Sequence, residues 1–244
     1  MTVPLLDLFV AEKRYGTRPV LADLRLTLEA GQIVSLIGAS GCGKSTLLSI
    51  AAGLDDDYRG HVLLAGAPTG GVSAQIGIIF QEPRLFPWLT VAQNIAFGTG
   101  SAPSDLGLAE TLLAQVGLAG YGQALPKQLS GGQAQRVAIA RGLFTQPRVL
   151  LLDEPFSSVD AFTRMKLQDL LMRIAQEYAL TVLLVTHDID EALYLSDRVV
   201  LLDGAAGAAH ATFDVPLARP RRRSEAALGA LRTRVLQTLE EAHS

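Results

Sequence analysis

Nine consecutive residues, Gly38 to Thr46, have types and spacing suited to holding phosphate groups. They read GASGCGKST, after an apolar run (Ile33 to Ile37) and before a segment of helix formers (Leu47 to Ala52). Glycines permit backbone angles that residues with a Cβ avoid, so successive N–H groups can turn toward one anion. The start of a helix adds unpaired N–H groups and a favourable dipole. The pattern predicts a nucleotide-binding loop; the alternative is a glycine-rich turn that binds nothing, which the strand-before, helix-after context disfavours.

Two side chains of this loop have chemistry of their own. Lys44 would neutralise charge on the β- and γ-phosphates, and the Ser45 hydroxyl would bind Mg²⁺. We expect the whole loop to contact the nucleotide: Gly38, Ala39, Ser40, Gly41, Cys42, Gly43, Lys44, Ser45 and Thr46.

Two adjacent carboxylates, Asp153 and Glu154, follow a run of four apolar residues, 149–152, and precede Pro155. Asp153 would hold Mg²⁺ together with Ser45. Glu154 is then free to polarise an attacking water as a general base. The alternative is an ordinary acidic turn at the end of a strand, which the upstream phosphate loop disfavours.

Two further polar residues follow predicted strands. Gln81 comes directly after Ile76 to Phe80 and could offer its carbonyl oxygen to Mg²⁺, reporting the γ-phosphate to the Pro-rich stretch beside it. His187 follows Thr181 to Val185 and could orient Glu154 and the attacking water. A plain loop glutamine and a solvated histidine are the alternatives.

A second anion-binding helix start is predicted at Leu129-Ser130-Gly131-Gly132-Gln133. Ser130 is a good N-cap, and the two glycines leave backbone N–H groups open to a ligand. A chain with one phosphate loop needs a second such end if the nucleotide is sandwiched between two subunits.

The apolar run at 149–152 and a second one at Thr181 to Val185 are of the kind buried on both faces of a parallel sheet. Ligands of such sheets collect at the carboxyl ends of the strands, where these polar residues lie. Val20 to Leu28 alternates instead, with leucines 24, 26 and 28 on one face, as a half-buried antiparallel strand does. Thr90 is a plausible N-cap of a following helix.

Two peripheral segments complete the pattern. Tyr15 is predicted in a polar turn, Lys13 to Thr17, where it is either a surface tyrosine or an aromatic that stacks on a base. The last segment ends in an amphipathic helix whose predicted apolar face has five members: Leu228, Leu231, Val235, Leu236 and Leu239.

Composition narrows the possible partners and compartments. The net charge of −3 over 244 residues gives no electrostatic reason to expect nucleic acid as a binding partner. No apolar run approaches the roughly 18 residues needed to cross a bilayer. Cys42 is the single cysteine, which excludes an intrachain disulfide and suits a reducing compartment. The first ten residues lack a basic region, so no signal peptide is expected.

Between about residues 5 and 215 the chain resembles the ATPases of ATP-binding cassette (ABC) transporters. The phosphate loop, Gln81, LSGGQ at 129–133, VLLLDEP at 149–155, Ser158-Val159-Asp160 and His187 occur in that family's order and spacing. The resemblance implies an α/β fold: a P-loop NTPase (RecA-like) core with an antiparallel β-subdomain and an inserted α-helical subdomain at about 86–146. The implied ATPase domain is 1–216, and 217–244 is a C-terminal tail with an amphipathic helix.

The same resemblance implies ATP and Mg²⁺ as cofactors and a head-to-tail dimer with a second copy of the chain. The implied catalytic residues are Glu154, His187 and Lys44, and Tyr15 is the implied adenine-stacking aromatic. Mg²⁺ would be held by Ser45, Gln81 and Asp153. The implied contacts to the other subunit's ATP come from Ser130, Gly131, Gly132, Gln133 and Asp160.

A narrower likeness is to the nitrate/sulfonate/taurine import group, carried by FQEPRLFPWLTVAQNI (80–95), LPKQLSGGQAQRVAIARG (125–142), FSSVDAFTR (156–164) and VTHDIDEALYLSDRVVLL (185–202). Departures from the family pattern, such as Gln32, Ala39 and Val159, remove no catalytic group. This likeness implies a peripheral subunit at the cytoplasmic face of the inner membrane. Its partners would be transmembrane permease subunits and, indirectly, a periplasmic solute-binding protein, for uptake of a small anionic solute.

Three alternatives stay open at this point. The solute could be cyanate or a pyrimidine or thiamine precursor. The chain could instead be a soluble, non-transport ABC ATPase, although it has neither a long coiled-coil or zinc insertion nor a second cassette. A P-loop kinase or transferase is the third alternative, and such an enzyme would have no use for LSGGQ.

Overall fold

The computed structural model describes residues 3–97, 103–202 and 208–242. Contacts divide the chain into two compact units, the first made of 1–73 and 179–244 and the second of 74–178. Within the described ranges, no helix is both long enough and apolar enough to cross a membrane.

The strands and helices of the described residues follow one another in this order: β1 (Leu6–Tyr15), β2 (Arg18–Leu28), β3 (Ile33–Gly38), α1 (Lys44–Ala51), β4 (Arg59–Leu64), β5 (Ala67–Pro68), β6 (Ile76–Ile79), α2 (Val91–Ile95), α3 (Pro103–Gln115), a short 3-10 helix (Pro126–Gln128), α4 (Gly131–Leu143), β7 (Val149–Asp153), α5 (Ala161–Glu177), β8 (Thr181–Val185), α6 (Ile189–Leu195), β9 (Arg198–Leu202), β10 (Ala209–Asp214) and α7 (Ala226–Ala242).

In the first unit, β3 is the central strand of a mostly parallel sheet. It pairs in parallel with β8 on one side and with β9 on the other, and β10 closes antiparallel on β9. Ile33 to Ile37 and all of β8 are buried. The prediction that Thr181 to Val185 is a strand buried on both faces is therefore confirmed. The polar members of the two strands, Ser35 and Thr181, are buried as well, and each has a hydrogen-bond partner, Ser196 and the N–H of Gly31.

The first unit also contains an antiparallel sheet with the order β2-β1-β4-β5. Leu24, Leu26 and Leu28 are buried there and Arg25 between them is exposed, which confirms the predicted alternation. The predicted polar turn is wrong in its first three residues, because β1 extends to Tyr15 and pairs with Arg18. Lys13 occupies a buried position of this strand. Because Lys13 is charged, the alternation of buried and exposed positions could not be recognised in the sequence.

The second unit has two parallel strands, β6 and β7, with Ile76 opposite Val149 and Ile79 opposite Leu152. Helix α4 packs closely on β6: a Cβ on Gly77 would lie 2.5 Å from the carbonyl oxygen of Gly142. Two helices of this unit begin with a capping box, α2 at Thr90 and α4 at Ser130. Both caps were predicted, and both are confirmed.

Helix α7 packs on α6 and β10 of the first unit. Leu228, Leu231 and Val235 are buried against that surface, and Leu239 is partly buried there. Leu236 is exposed, so its assignment to the apolar face is wrong. It follows Val235 directly, and successive helical residues lie about 100° apart around the axis.

Arg221, in the segment before α7, closes the C-terminal end of α6. Its buried guanidinium donates to the carbonyl oxygens of Leu193 and Ser196, at 2.9 and 2.6 Å, and also to those of Val215 and Leu217. Burial lowers the pKa of Arg221, and the charge of Arg219 lowers it further, whereas Asp197 raises it. The last carbonyls of a helix have no partner within the helix, and here an arginine of the tail supplies one.

Arg221→Met would leave several of these carbonyls buried without a donor. We expect this change to lower the free energy of unfolding by about 3 kcal/mol, equivalent to a thermal midpoint roughly 6–12 °C lower. Thermal unfolding followed by circular dichroism measures it. The exposed neighbour supplies the control, Arg222→Met, which should unfold like the wild type; equal midpoints for both variants would contradict the role of Arg221.

Candidate nucleotide-binding site

The predicted phosphate loop joins β3 to α1 in the first unit, and its glycines adopt conformations that favour this residue. Gly41 and Gly43 have φ of 80° and 98°, in the left-handed region, and Gly43 is the N-cap of α1. A Cβ on Gly43 would also lie 2.6 Å from Cδ2 of Leu21 and 2.9 Å from the carbonyl oxygen of Val20. Gly43 is thus required both by its φ and by the strand that packs against it.

Lys44 is buried beside the loop backbone. Its ammonium donates to the carbonyl oxygens of Gly38 and Ala39, both at 2.8 Å, and lies 3.7 Å from the buried thiol of Cys42. The cation is therefore held within the loop at the start of a helix, where an anion gains most from it. Ser40 and Ser45 are exposed at the same loop, and Thr46 is half-buried.

His187 lies at the same edge of the sheet as this loop. Strand β8 runs parallel to β3 with Val185 opposite Leu36, and the N–H of Thr186 donates to the carbonyl oxygen of Leu36 at 3.1 Å. His187 follows as an exposed residue, and Asp188 then caps α6 by accepting a hydrogen bond from the N–H of Glu191. Because parallel strands deliver their carboxyl ends to one edge, His187 and the loop face the same solvent region.

Tyr15 ends β1 with 56% of its surface exposed, and a charged cluster holds it in place. Its hydroxyl lies 3.4 Å from a carboxylate oxygen of Asp55, and the ammonium of Lys13 lies 4.8 Å from its ring centroid. Lys13 is only 2% exposed and donates to Asp55 at 2.8 Å and to the backbone carbonyl of Asp57 at 2.7 Å. Sequence analysis missed Lys13; the run of three aspartates at 55–57 was the signal that could have indicated a buried cation nearby.

The pKa of Lys13 reflects this environment. Burial alone lowers it, but the hydrogen bonds and charges of Asp55 and Asp57 outweigh burial, so the pKa is raised above its ordinary value. Lys13 is therefore charged at neutral pH, with one face of the Tyr15 ring close to its ammonium.

In the second unit, the predicted carboxylates and Gln81 follow the carboxyl ends of neighbouring strands. Ile79 of β6 is opposite Leu152 of β7, so exposed Gln81 and half-buried Asp153 lie at one edge of this strand pair. Glu154 has a φ of 44°, in the left-handed region that a residue with a Cβ adopts only at a cost. Its carbonyl oxygen accepts from the N–H and hydroxyl of Ser157 at 3.2 and 3.0 Å, which keep the turn in this shape.

The LSGGQ segment and Asp160 are brought together at the N-termini of α4 and α5. The Ser130 hydroxyl accepts from the N–H of Gln133, and the Gln133 side chain accepts from the N–H of Ser130 and donates to the hydroxyl of Tyr121 at 3.1 Å. A Cβ on Gly132 would lie 2.5 Å from the Thr163 methyl carbon, so a larger residue at 132 would have to displace the Thr163 side chain.

Asp160 caps α5 by accepting from the N–H groups of Phe162 and Thr163, at 3.1 and 3.0 Å. Hydrogen bonding with Thr163 and then Phe162 holds the pKa of Asp160 below its ordinary value. The carboxylate is therefore ionised and tied to the helix that contacts Gly132 through Thr163.

Oxygen donors of the kind that suit Mg²⁺ occur in each of the two units. Ser45 lies in the first unit, and Gln81 and Asp153 lie in the second; they offer hydroxyl, amide and carboxylate oxygens. Mg²⁺ is usually bound by one or two protein groups together with substrate phosphates and water. In the part of the chain that the structure describes, no cluster of three His, Cys, Asp or Glu side chains forms a metal site by itself. Within the second unit, the Gln81 amide oxygen and the Asp153 carboxylate at one strand edge are donors of the kind that Mg²⁺ takes together with phosphate and water.

Comparisons with known proteins agree with this geometry. The model of the ABC transporter family matches residues 21–157. The chain is 61% identical to the aliphatic sulfonates import ATP-binding protein SsuB 1 of Xanthomonas axonopodis pv. citri, over 98% of this chain and 97% of that one. It is 58% identical to SsuB 1 of Pseudomonas aeruginosa, over 98% of each.

Comparison with a solved structure identifies the fold. The chain resembles the dimeric post-hydrolysis state of the ATP-binding cassette MJ0796 bound to ADP and Pi, with a TM-score of 0.75 and 30% identity over 87% of this chain and all of that one. The predicted P-loop NTPase fold and the resemblance to the nitrate/sulfonate/taurine import group are confirmed. The chain therefore belongs to the ABC transporter family, as an ATP-hydrolysing subunit of an importer.

Proposed function

We propose that this subunit drives the uptake of aliphatic sulfonates through a separate membrane permease. The observation that carries the proposal is the 61% identity, over nearly the whole chain, with a protein named for aliphatic sulfonate import. Taurine and nitrate are the other solutes that the family resemblance implies. No comparable observation supports cyanate or a pyrimidine or thiamine precursor. The net charge of −3 supports a function without nucleic acid.

In this proposal the residues 38–46 bind the phosphates of ATP, with Lys44 as the cation that faces the β- and γ-phosphates. Tyr15 stacks on the adenine with the ring face that Lys13 does not approach. An ammonium on one face attracts the π electrons and keeps the ring in a fixed orientation. Ser45, Gln81 and Asp153 would hold Mg²⁺, which would neutralise phosphate charge when the nucleotide is bound.

Hydrolysis requires a base for the attacking water, and we assign this role to Glu154. The left-handed backbone of Glu154, fixed by Ser157, restricts where its carboxylate can point. His187 orients the water and the γ-phosphate from the loop edge of the first unit. The proton moves from water to the Glu154 carboxylate as the water oxygen bonds to the γ-phosphorus, and the bond from that phosphorus to the β–γ bridging oxygen breaks, so that ADP leaves with the electron pair.

The nucleotide site is completed by a second copy of the chain. The first N–H groups of a helix lack intrahelical partners, so Gly131 and Gly132 can donate to the γ-phosphate held by the other copy. Ser130 and Gln133 fix this helix start by their capping box, and Asp160 crosses to the partner. The matching domain assignment is an ATPase domain at 1–216, with a helical subdomain at about 86–146, and a tail at 217–244.

An exposed aromatic cluster supports permease docking by the second unit. Trp88 is 73% exposed, and its ring centroid lies 5.5 Å from that of Phe86, which lies 4.3 Å from that of Phe97. Exposed aromatic clusters commonly mark protein interfaces. Docking there would hold the subunit peripherally at the cytoplasmic face of the inner membrane, with a periplasmic solute-binding protein as an indirect partner.

Growth on a sulfonate tests the proposed solute. We expect this chain to restore growth on ethanesulfonate as the sole sulfur source to a bacterium that lacks only its own aliphatic sulfonate import ATP-binding subunit. Lys44→Ala is the control that should not restore growth, and sulfate should support every strain equally. Failure to restore growth, with ATP hydrolysis intact in the purified protein, would remove the sulfonate assignment and leave the ATPase.

Glu154→Gln tests the base. The amide cannot accept a proton, so we expect steady-state phosphate release to fall by about 100-fold or more, while ATP still binds and a dimer accumulates on size exclusion with MgATP. Glu177→Gln makes the same chemical change at an exposed position of α5 and should leave turnover unchanged. Undiminished turnover in Glu154→Gln would eliminate Glu154 as the base.

Tyr15 variants separate the ring from its hydroxyl. Tyr15→Ala should weaken ATP binding by about 1–2 kcal/mol, roughly 5–30-fold, because the stacking surface is lost. Tyr15→Phe keeps the ring beside Lys13 and should bind ATP nearly as the wild type does. Calorimetric titration with ATP measures both. If the two variants bind alike, the tyrosine ring has no role in stacking.

A further inference from the structure

The segment of residues 80–90, between β6 and α2, is held by side chains outside the motifs considered so far. Arg141, in the last turn of α4, donates to the carbonyl oxygens of Pro83 at 2.6 Å and Arg84 at 2.9 Å. Arg84 has a φ of 46°, and its guanidinium lies 4.2 Å from the ring centroid of Phe80. The chain therefore turns tightly around Gln81, and Arg141 closes that turn.

Asn94 of α2 fixes the second half of the same segment. It is fully buried, its side-chain oxygen accepts from the N–H of Phe86 at 2.7 Å, and its amide group donates to the carbonyl oxygens of Phe86 and Leu89, both at 3.1 Å. The segment contains two prolines, which cannot donate, and it forms no regular strand or helix. Its shape thus depends on side chains that bind its backbone from α2 and α4.

The environment of Arg141 would destabilise a cation that had no hydrogen-bond partner. Burial lowers the pKa of Arg141, and the charge of neighbouring Arg84 lowers it further. Two guanidinium groups remain close together here because each has a separate partner, the two carbonyls for Arg141 and the Phe80 ring for Arg84. The planar guanidinium of an arginine presents two donors in a fixed geometry that suits two successive carbonyl oxygens. The ammonium of a lysine has no such planar pair of donors.

Helix α4 joins this turn to the LSGGQ segment. Ser130 caps its N-terminus and Arg141 lies in its last turn, about 16 Å away at 1.5 Å per residue. A helix transmits displacement along its axis because its backbone hydrogen bonds resist bending. When the segment moves near Gln81 or Trp88, the hydrogen bonds of Arg141 to that segment therefore displace α4 at its last turn.

We infer that Arg141 is the positioning residue that couples the segment 80–90 to helix α4, so that nucleotide-dependent movement at Gln81 and load at Trp88 reach Ser130 to Gly132 as one displacement. This inference rests on the proposed function, in which Gln81 senses the γ-phosphate and Trp88 contacts the permease.

Trp88 is the single tryptophan of the chain, so its emission reports on this segment alone. In the full-length wild type we expect the emission to shift when Mg²⁺ and a non-hydrolysable ATP analogue are added. In Arg141→Met we expect a smaller shift, because movement that begins where the other copy's nucleotide contacts Ser130 to Gly132 no longer passes from α4 to Trp88, while calorimetry shows unchanged affinity for the analogue. Arg141→Lys can bind only one carbonyl well and should restore part of the shift, which a merely structural loss would not explain.

Arg136→Met is the matched control. Arg136 lies on the same helix and donates at 2.6 Å to the carbonyl oxygen of Val116, away from the segment 80–90. The emission shift should persist in this variant. The inference is overturned if Arg141→Met keeps the wild-type shift, if Arg136→Met loses it equally, or if the wild-type emission does not respond. Each of those results leaves ATP hydrolysis by the wild type standing, whereas absence of hydrolysis would instead remove the proposed function.

Discussion

The common carboxyl edge of parallel strands is the constraint on which this protein depends. Strand β3 is paired on both sides, so Gly38 emerges at a fixed point beside Leu202, whose carbonyl oxygen would lie 2.7 Å from a Cβ on that glycine. The same pairing brings His187 to this edge. In the second unit, β6 and β7 do the same for Gln81 and Asp153. Hydrogen-bonded strands cannot shift independently, so each unit presents its polar residues together.

The N-termini of helices are a second structural feature that each unit holds in a fixed position. The helices α1, α4 and α5 begin at Gly43, Ser130 and Asp160, and each start is fixed by a different contact. Strand β2 packs against Gly43, a capping box fixes Ser130, and Thr163 joins α5 to Gly132. In α5 the N–H groups of Phe162 and Thr163 already donate to the Asp160 carboxylate, so it is the starts of α1 and α4 whose fixed positions determine where an anion can be bound.

Irregular segments and one helix end elsewhere in the two units are held by side-chain hydrogen bonds to the backbone. Arg221 binds the end of α6, Asn94 and Arg141 bind the segment 80–90, and Lys13 binds the carbonyl of Asp57. Buried backbone carbonyls need donors, and a segment outside a helix or sheet must obtain them from elsewhere. The donors here come from residues 4 to 58 positions away in the sequence, and the longest of these links join segments that are distant in the chain.

The sequence by itself determined the motifs and the buried strands. The phosphate loop, LSGGQ and the apolar runs depend on residue types at short spacing, and so do the caps at Thr90 and Ser130. Only the tertiary structure decided that Lys13 lies inward in a strand and that Leu236 lies outside the apolar face of α7. It alone joined Gly132 to Thr163 and Arg141 to Pro83. Such contacts link residues tens of positions apart in the sequence. Local patterns of polarity cannot predict them, because the packing of the helices and strands decides which residues meet.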